Sequence, residues 1–71
     1  MAKMVQYTIA TLKTKEGTLK LYKYTLADGT MAGGEVEAIW RGKRETLFSS
    51  VQYALARDDF RERIDEYTQD I

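Results

Sequence analysis

The residues of this chain with the clearest chemical potential alternate lysine with tyrosine. In residues 20–24, Lys20 and Lys23 stand beside Tyr22 and Tyr24. Proteins that bind single-stranded nucleic acid place aromatic rings, on which bases stack, beside cations that attract phosphates. The other interpretation is that these tyrosines are half-buried strand residues under a helix. With 11 basic residues offset by 11 acidic ones, the composition favours this second interpretation.

Two further segments could bind an anion. Backbone amides of a glycine-rich loop such as residues 29–34 can surround a phosphate. Dinucleotide and P-loop sites need a helix directly after that loop, whereas a strand is predicted here, so a turn and a bulge are favoured. A basic cluster at a later predicted turn could hold a phosphate or an acidic partner, or could simply be solvated. The candidate anion or nucleic-acid contacts are Lys20, Lys23, Arg41, Lys43 and Arg44.

The chain lacks the residues that most enzymes use near neutral pH. It contains no histidine and no cysteine, so imidazole proton transfer, thiolate chemistry and soft-metal ligation are excluded. The acidic residues that follow Asp58 lie on a predicted exposed helix, which does not shift carboxyl pKa values as catalysis requires. We therefore predict a non-enzymatic protein with no catalytic residues, no metal and no cofactor.

Size and charge narrow the function further. A chain of 71 residues is a single domain, 1–71, which buries roughly 60% of the surface of its unfolded form and is marginally stable. Without disulfides or metal ligands, oligomerisation is the remaining source of added stability. The net charge is zero, which argues against a dedicated phosphate-backbone binder. No stretch has the length of a membrane span and no leader is recognisable, so we expect a soluble, cytoplasmic protein.

Two alternating segments at the start of the chain predict a β-hairpin. Residues 4–13 and 18–26 are rich in apolar residues, tyrosine and threonine, and Gly17 closes a four-residue loop between them. Such a loop pairs Lys13 with Thr18. This register predicts one coherent apolar face, because it opposes Val5 to Leu26, Tyr7 to Tyr24 and Ile9 to Tyr22.

A third strand is predicted at about 35–41, after a turn at Asp28 and Gly29. Its alternation places Val36, Ala38 and Trp40 on one side. A short fourth strand is expected at 45–48.

Whether the apolar residues of the third strand share a face with the tyrosines depends on one extra residue before that strand. A two-residue turn alone would set Glu35 opposite Tyr22, whereas one extra residue, bulged at Gly33 and Gly34, sets Val36 there. We expect the bulge. The tyrosine face of the sheet would then contain Tyr22, Tyr24, Val5, Ile9 and Trp40.

Residues 50–69 predict a helix, with Ser49 as its N-cap and Gln52 as the capping-box partner. The helical segment carries two apolar stripes on opposite sides. One stripe contains Val51, Ala54 and Leu55. The other contains Tyr53, Ala56, Phe60, Ile64, Tyr67 and Ile71.

Two structures fit these stripes. A break near Asp58 lets both stripes meet one core, whereas an unbroken helix leaves one stripe for a partner. For the unbroken helix we expect a homodimer whose interface contains Phe60, Ile64, Tyr67 and Ile71, since aromatic and large aliphatic residues suit interface anchors.

The sequence thus predicts a small α+β domain, in which an antiparallel meander of three or four strands, at about 4–48, carries a C-terminal helical segment on one face. The favoured function is an interaction module that regulates or inhibits another protein. Its size is similar to that of small regulatory proteins of bacteria and their viruses, which is an analogy of size alone. The alternative is a nucleic-acid or nucleotide binder that uses the Lys/Tyr hairpin and the glycine-rich loop 29–34.

Overall fold

A computed structural model describes residues 3–68, with the side chains of residues 3–66. The chain forms a four-stranded antiparallel sheet followed by one helix, and the strand order in the sheet is the order in the sequence. The predicted α+β meander with a C-terminal helix is confirmed, and the fourth strand is longer than expected. The elements are β1 (Met4–Lys13), β2 (Gly17–Leu26), β3 (Met31–Trp40), β4 (Lys43–Ser50) and α1 (Tyr53–Thr68).

The turn between β1 and β2 is closed by the Thr14 side chain. Its hydroxyl oxygen accepts hydrogen bonds from the backbone N–H groups of Glu16 and Gly17, at 3.2 and 3.1 Å. The Thr14 backbone N–H donates to the Gly17 carbonyl at 2.7 Å. These bonds fix the four-residue loop, and the predicted pairing of Lys13 with Thr18 is confirmed.

The predicted register fails further along β1, because the strand contains a bulge. Ala10 pairs with Leu21 but Thr8 pairs with Tyr22, which leaves Ile9 as an extra residue without a partner. Beyond a bulge the remaining residues of the strand exchange faces. Gln6, rather than Tyr7, therefore lies opposite Tyr24. The prediction that Ile9 lies opposite Tyr22 is wrong.

The register between β2 and β3 also differs from the prediction. Tyr22 pairs with Glu35, so Val36 is not opposite the tyrosine. A bulge is present, at Ala32, but the loop contains three residues rather than two, because Leu26 N–H donates to the Thr30 carbonyl at 2.8 Å. The extra loop residue cancels the shift that the bulge produces. The apolar residues of β3 consequently lie on the face opposite to the tyrosines.

The core lies between α1 and one face of the sheet. Leu19 and Leu21 of β2 oppose Ala38 and Val36 of β3, and all four side chains are buried. Alanine and phenylalanine from the helix complete this cluster. The buried apolar core consists of Leu19, Leu21, Val36, Ala38, Ala56 and Phe60, with Trp40 packed against it.

The helix is continuous and starts later than predicted. α1 runs unbroken through Asp58, so the alternative with a break is wrong. Ser49 belongs to β4 and is not the N-cap. The side-chain oxygen of Ser50 instead accepts a hydrogen bond from the Gln52 N–H at 3.0 Å. Within the described residues no helix has the length and apolar content needed to cross a membrane.

The stripe of α1 that was expected at a dimer interface faces the sheet, and the other apolar stripe faces solvent. Phe60 is only 3% exposed and Ile64 packs against the core of the same copy. The stripe left outside is the other one, since Val51 is 82% exposed and Leu55 is also exposed. The sheet of the same copy thus already covers Phe60, whereas Ile64 is half-buried, and a dimer interface at these residues stays a prediction. The Tyr67 side chain and Ile71, the other expected interface residues, lie outside the described residues.

Gly33 occupies a position that no other residue fits well. Its φ of +141° is in a region that side chains disfavour. A Cβ placed there would also come closer to the Ser50 carbonyl oxygen of β4 than real Cβ atoms approach. Gly29 has a positive φ of +91° too, but open space surrounds it. An alanine at Gly33 would thus suffer both backbone strain and crowding, whereas an alanine at Gly29 would suffer backbone strain alone.

We expect Gly33→Ala to destabilise the protein more than Gly29→Ala. Backbone strain costs about 1–3 kcal/mol at either position, and crowding against Ser50 adds at least ~1 kcal/mol at Gly33 alone. Urea denaturation followed by Trp40 fluorescence measures both unfolding free energies. Equal losses in the two variants would contradict the crowding at Gly33.

Candidate functional site

The sheet has one covered face and one uncovered face. α1 packs on the face that carries Leu19, Leu21 and Val36, mainly against β3. Among residues 3–68, no element lies over the opposite face. We call this opposite side the uncovered face; its central residues are Gln6, Tyr22, Tyr24, Glu35, Glu37 and Thr46.

Two tyrosine–glutamate pairs lie at the centre of the uncovered face. The Tyr22 hydroxyl donates a hydrogen bond to Glu37 Oε1, and the Tyr24 hydroxyl donates to Glu35 Oε2, both at 2.9 Å. Each tyrosine of β2 thus reaches diagonally across to a glutamate of β3. The two pairs are parallel because tyrosines and glutamates both recur at every second position of their strands. Hydrogen bonds to a carboxylate are among the stronger neutral–charged contacts in proteins.

One of these pairs is part of a hydrogen-bond chain that crosses all four strands. Gln6 Nε2 of β1 donates to the Tyr24 hydroxyl oxygen at 3.1 Å. Tyr24 donates to Glu35, whose other carboxylate oxygen accepts from the Thr46 hydroxyl of β4 at 3.2 Å. This hydrogen-bond chain depends on the bulge at Ile9, since an unbulged β1 would place Tyr7, rather than Gln6, opposite Tyr24. Hydrogen bonds therefore connect these four side chains to one another across the sheet.

Burial and the neighbouring carboxylates keep both tyrosines protonated. Tyr22 is only 6% exposed although it lies on the uncovered face. Burial, followed by the hydrogen bond and the charge of Glu37, raises the pKa of Tyr22 to about 12. Burial and then Glu35 raise the pKa of Tyr24 in the same direction. Both hydroxyl groups thus remain hydrogen-bond donors to a higher pH than those of exposed tyrosines.

A shallow groove of about 540 Å³ adjoins Tyr24 at one end of the face. Gly33 pairs with Tyr24 and has no side chain to fill the space. The groove combines apolar walls with one carboxylate and three hydroxyl groups, so it can accommodate a mixed polar and apolar side chain. Its lining includes Met4, Tyr24, Glu35, Ser49, Ser50 and Val51.

The predicted anion contacts do not form one site. Lys23 lies on the covered face, where its Nζ stands 5.4 Å from the centre of the Tyr53 ring. Lys20 pairs with Glu37 and lies on the uncovered face. The remaining three, Arg41, Lys43 and Arg44, are exposed at and beside the turn between β3 and β4.

The predicted glycine-rich loop is a turn and the start of a strand. Gly29 closes the turn, where Asp28 Oδ1 accepts a hydrogen bond from the Thr30 N–H at 2.9 Å. Met31 already belongs to β3. The interpretation as a turn and a bulge therefore describes the structure better than that as a phosphate loop.

Sequence reasoning singled out Tyr22 and Tyr24 but missed their partners. The predicted register sets Val36 and Trp40 on the tyrosine face, and the alternation of the strand then places Glu35 and Glu37 on the opposite face. Gln6 is likewise placed away from the tyrosines, because it lies between Val5 and Tyr7. Their alternation with apolar residues was visible, but the register that brings them to the tyrosines was not. Counting the loop after Leu26 as three residues would have found the pairs.

In the part of the chain that the structure describes, no three carboxylates lie close enough together to hold a metal ion. Comparison with protein-family models, with curated proteins and with solved structures finds no match to this chain. The function must therefore be argued from the geometry of the uncovered face.

The raised pKa of Tyr22 makes a prediction for alkaline solutions. The folded state favours the protonated hydroxyl, so this stabilisation is complete below the ordinary pKa of 10.0 and is lost as the pH rises to about 12. We expect the unfolding free energy of the natural protein to fall more steeply over this range than that of Tyr22→Phe. Urea denaturation at a series of pH values measures the difference.

Glu37→Gln serves as the control for the cause of the shift. This substitution removes the carboxylate but leaves the burial, which is the largest cause of the raised pKa of Tyr22. The extra fall of the unfolding free energy in alkaline solution should therefore become smaller without disappearing. Parallel stability curves for the natural protein and Tyr22→Phe would contradict the buried, hydrogen-bonded hydroxyl.

Proposed function

We propose that this protein is a non-enzymatic interaction module that binds another protein through its uncovered face. In this proposal it acts as a regulator or inhibitor by occupying a surface of that partner. The observation that carries the proposal is the hydrogen-bond chain from Gln6 through Tyr24 and Glu35 to Thr46. It holds polar and aromatic groups in fixed positions on the one face of the sheet that no described element covers.

Fixed side chains favour binding because less entropy is lost when a partner docks. Ordering a mobile side chain at an interface costs about 0.5–1.5 kcal/mol. Tyr24 and Glu35 are half-buried and already hydrogen-bonded before any partner arrives. Tyrosine is also enriched at protein interfaces, where its ring packs and its hydroxyl group bonds. The groove beside Tyr24 supplies a recess for a side chain of the partner.

The charges along the uncovered face suggest what the partner surface carries. Lys20 and Arg44 lie towards the end of the sheet that holds the β1–β2 and β3–β4 turns, and Glu35 and Glu37 lie in the middle of the sheet. Met4 is exposed near the opposite end. A complementary protein surface would present acidic, then basic, then apolar groups in the same direction, which makes charge order the basis of specificity.

Photocrosslinking from two exposed positions tests whether a partner binds the uncovered face. A photoreactive phenylalanine derivative at Ser49, on the rim of the groove, is compared with one at Ala54, on the outer side of α1. After irradiation in cells that naturally make the protein, we expect a discrete protein adduct from Ser49 and none from Ala54. Gel electrophoresis and mass spectrometry of the purified adduct identify the partner.

A charge reversal decides whether the adduct reflects the proposed surface. Glu35→Arg in the Ser49-labelled chain should abolish the adduct, while circular dichroism confirms that the variant is folded. An adduct that survives this reversal, or that forms equally from Ala54, would contradict binding through the uncovered face. An adduct with a second copy of the chain would be recognised by its mass and would not support this function.

Nucleic-acid binding is the alternative, and the cations beside the two turns support it. The strand order brings the turn at 14–16 to the same end of the sheet as Arg41 and Lys43. Three observations weigh against stacked bases on the tyrosines. Tyr22 is buried, Lys23 points to the other face, and the two glutamates bring negative charge to the place where phosphates would lie.

We expect fluorescence anisotropy to detect no salt-sensitive binding of labelled single-stranded oligonucleotides. A protein that neutralises several phosphates loses affinity steeply between about 50 and 200 mM salt. A linear fall of the logarithm of affinity with the logarithm of salt concentration would instead favour the nucleic-acid function. Arg41→Glu with Lys43→Glu would then identify the turn end as the contact.

A further inference from the structure

The two edges of the sheet differ in how well they are protected against pairing. The outer edge of β4 begins with Lys43, Arg44 and Glu45, and it carries a bulge at Leu47. The Leu47 carbonyl oxygen also accepts a hydrogen bond from Arg63 Nη2 of α1, at 3.4 Å. Charges, bulges and covering side chains are the devices by which natural sheets prevent further strands from adding to an edge.

The outer edge of β1 has little of this protection. From Met4 to Leu12 the strand contains no charged residue, no proline and no glycine. Three of its large apolar side chains remain in solvent, since Met4 is 60%, Tyr7 51% and Ile9 46% exposed. The bulge at Ile9 still leaves five regularly paired residues, from Met4 to Thr8. α1 packs against β2, β3 and β4 and leaves this strand largely uncovered.

We propose that β1 pairs antiparallel with β1 of a second copy of this chain, about a two-fold axis at Gln6. A second copy fits because the regular segment is complementary to itself. With the axis at Gln6, Val5 of each copy lies opposite Tyr7 of the other, and pairs of aromatic and β-branched residues across strands are favourable. Lys3 then lies opposite Ile9.

Other registers of the same strand fit less well. An axis at Thr8 would extend the pairing into the bulge, because Ile9 of each copy would lie opposite Tyr7 of the other, outside the regular segment from Met4 to Thr8. Pairing β1 with β4 of another copy would bring the uncharged strand against a charged, bulged edge. Such a head-to-tail contact would build a ring or a filament of several copies rather than a dimer.

The proposed pairing places the binding surfaces of the two copies side by side. A two-fold axis at an antiparallel strand pair is perpendicular to the sheet, so the eight strands form one continuous sheet. Both α1 helices then lie on one side and both uncovered faces on the other. Gln6 lies at the axis and also begins the hydrogen-bond chain. The pairing uses its backbone and leaves Tyr24 and Glu35 outside the contact, so the dimer does not require the proposed function.

Single-cysteine variants test the pairing directly, since the natural chain contains no cysteine. Directly opposed residues of an antiparallel pair have Cα atoms about 4.5–5.5 Å apart, which a disulfide can span. We expect Gln6→Cys to form a covalent dimer under mild oxidation. Glu45→Cys, on the other edge, should stay monomeric on non-reducing gels. Cross-linking of Glu45→Cys to the same extent as Gln6→Cys would overturn the proposal.

Light scattering after size-exclusion chromatography gives a second, independent measurement. At micromolar concentration we expect a dimer for the natural protein, a folded monomer for Tyr7→Lys, and a dimer for the control Leu55→Lys. Both substitutions add a lysine at an exposed apolar position, so only the place differs. A monomeric natural protein, assemblies larger than a dimer, or loss of the dimer only in Leu55→Lys would each overturn the pairing.

Discussion

Because side chains alternate along a β-strand, one additional residue in one strand of a pair exchanges the faces of everything beyond it. This sheet contains such a residue in each of its three strand pairs, at Ile9, Ala32 and Leu47. The bulge at Ile9 aligns Gln6 with Tyr24. The bulge at Ala32, together with a three-residue loop, aligns Tyr22 with Glu35. The core and the uncovered face both depend on these shifts.

The bulge at Leu47 shows the same constraint acting on the core. In an unbulged β4, the neighbours Leu47 and Phe48 would point to opposite faces of the sheet. With the bulge, both side chains pack against the buried cluster. A small sheet under a single helix gains apolar contact in this way without a longer strand. The polar residues Thr46 and Ser49, on either side, are consequently available to the uncovered face.

Local signals allowed much of the fold to be predicted from the sequence. The pairing of Lys13 with Thr18 depends on a few adjacent residues, whose chemistry determines the turn. The position of the turn at Asp28 and Gly29 was predicted in the same way, but its length was not, since the loop contains three residues rather than two. The faces of the strands were predicted wrongly because each face depends on the total number of loop residues and bulged residues that come before it. An error of one residue in that total reverses every later assignment.

The candidate site was predictable only in part for the same reason. The tyrosines were identified by composition, whereas their pairing with Glu35 and Glu37 depends on the register. The stripes of α1 were recognised correctly as two, but the sequence does not specify which stripe the sheet covers. That choice depends on contacts between distant segments, such as the approach of Ala56 to Gly34, where an added Cβ would lie 2.8 Å from that of the alanine.

The strand order of this sheet has a consequence for how the chain folds. Every strand pairs with its neighbour in the sequence, so each pairing closes a loop of only a few residues. Short loops lose little entropy on closure, and folds rich in local contacts reach the native state quickly. The apolar surface that receives α1, by contrast, is made by residues of β2, β3 and β4 together. The helix can therefore dock in its native position only where these strands have already paired.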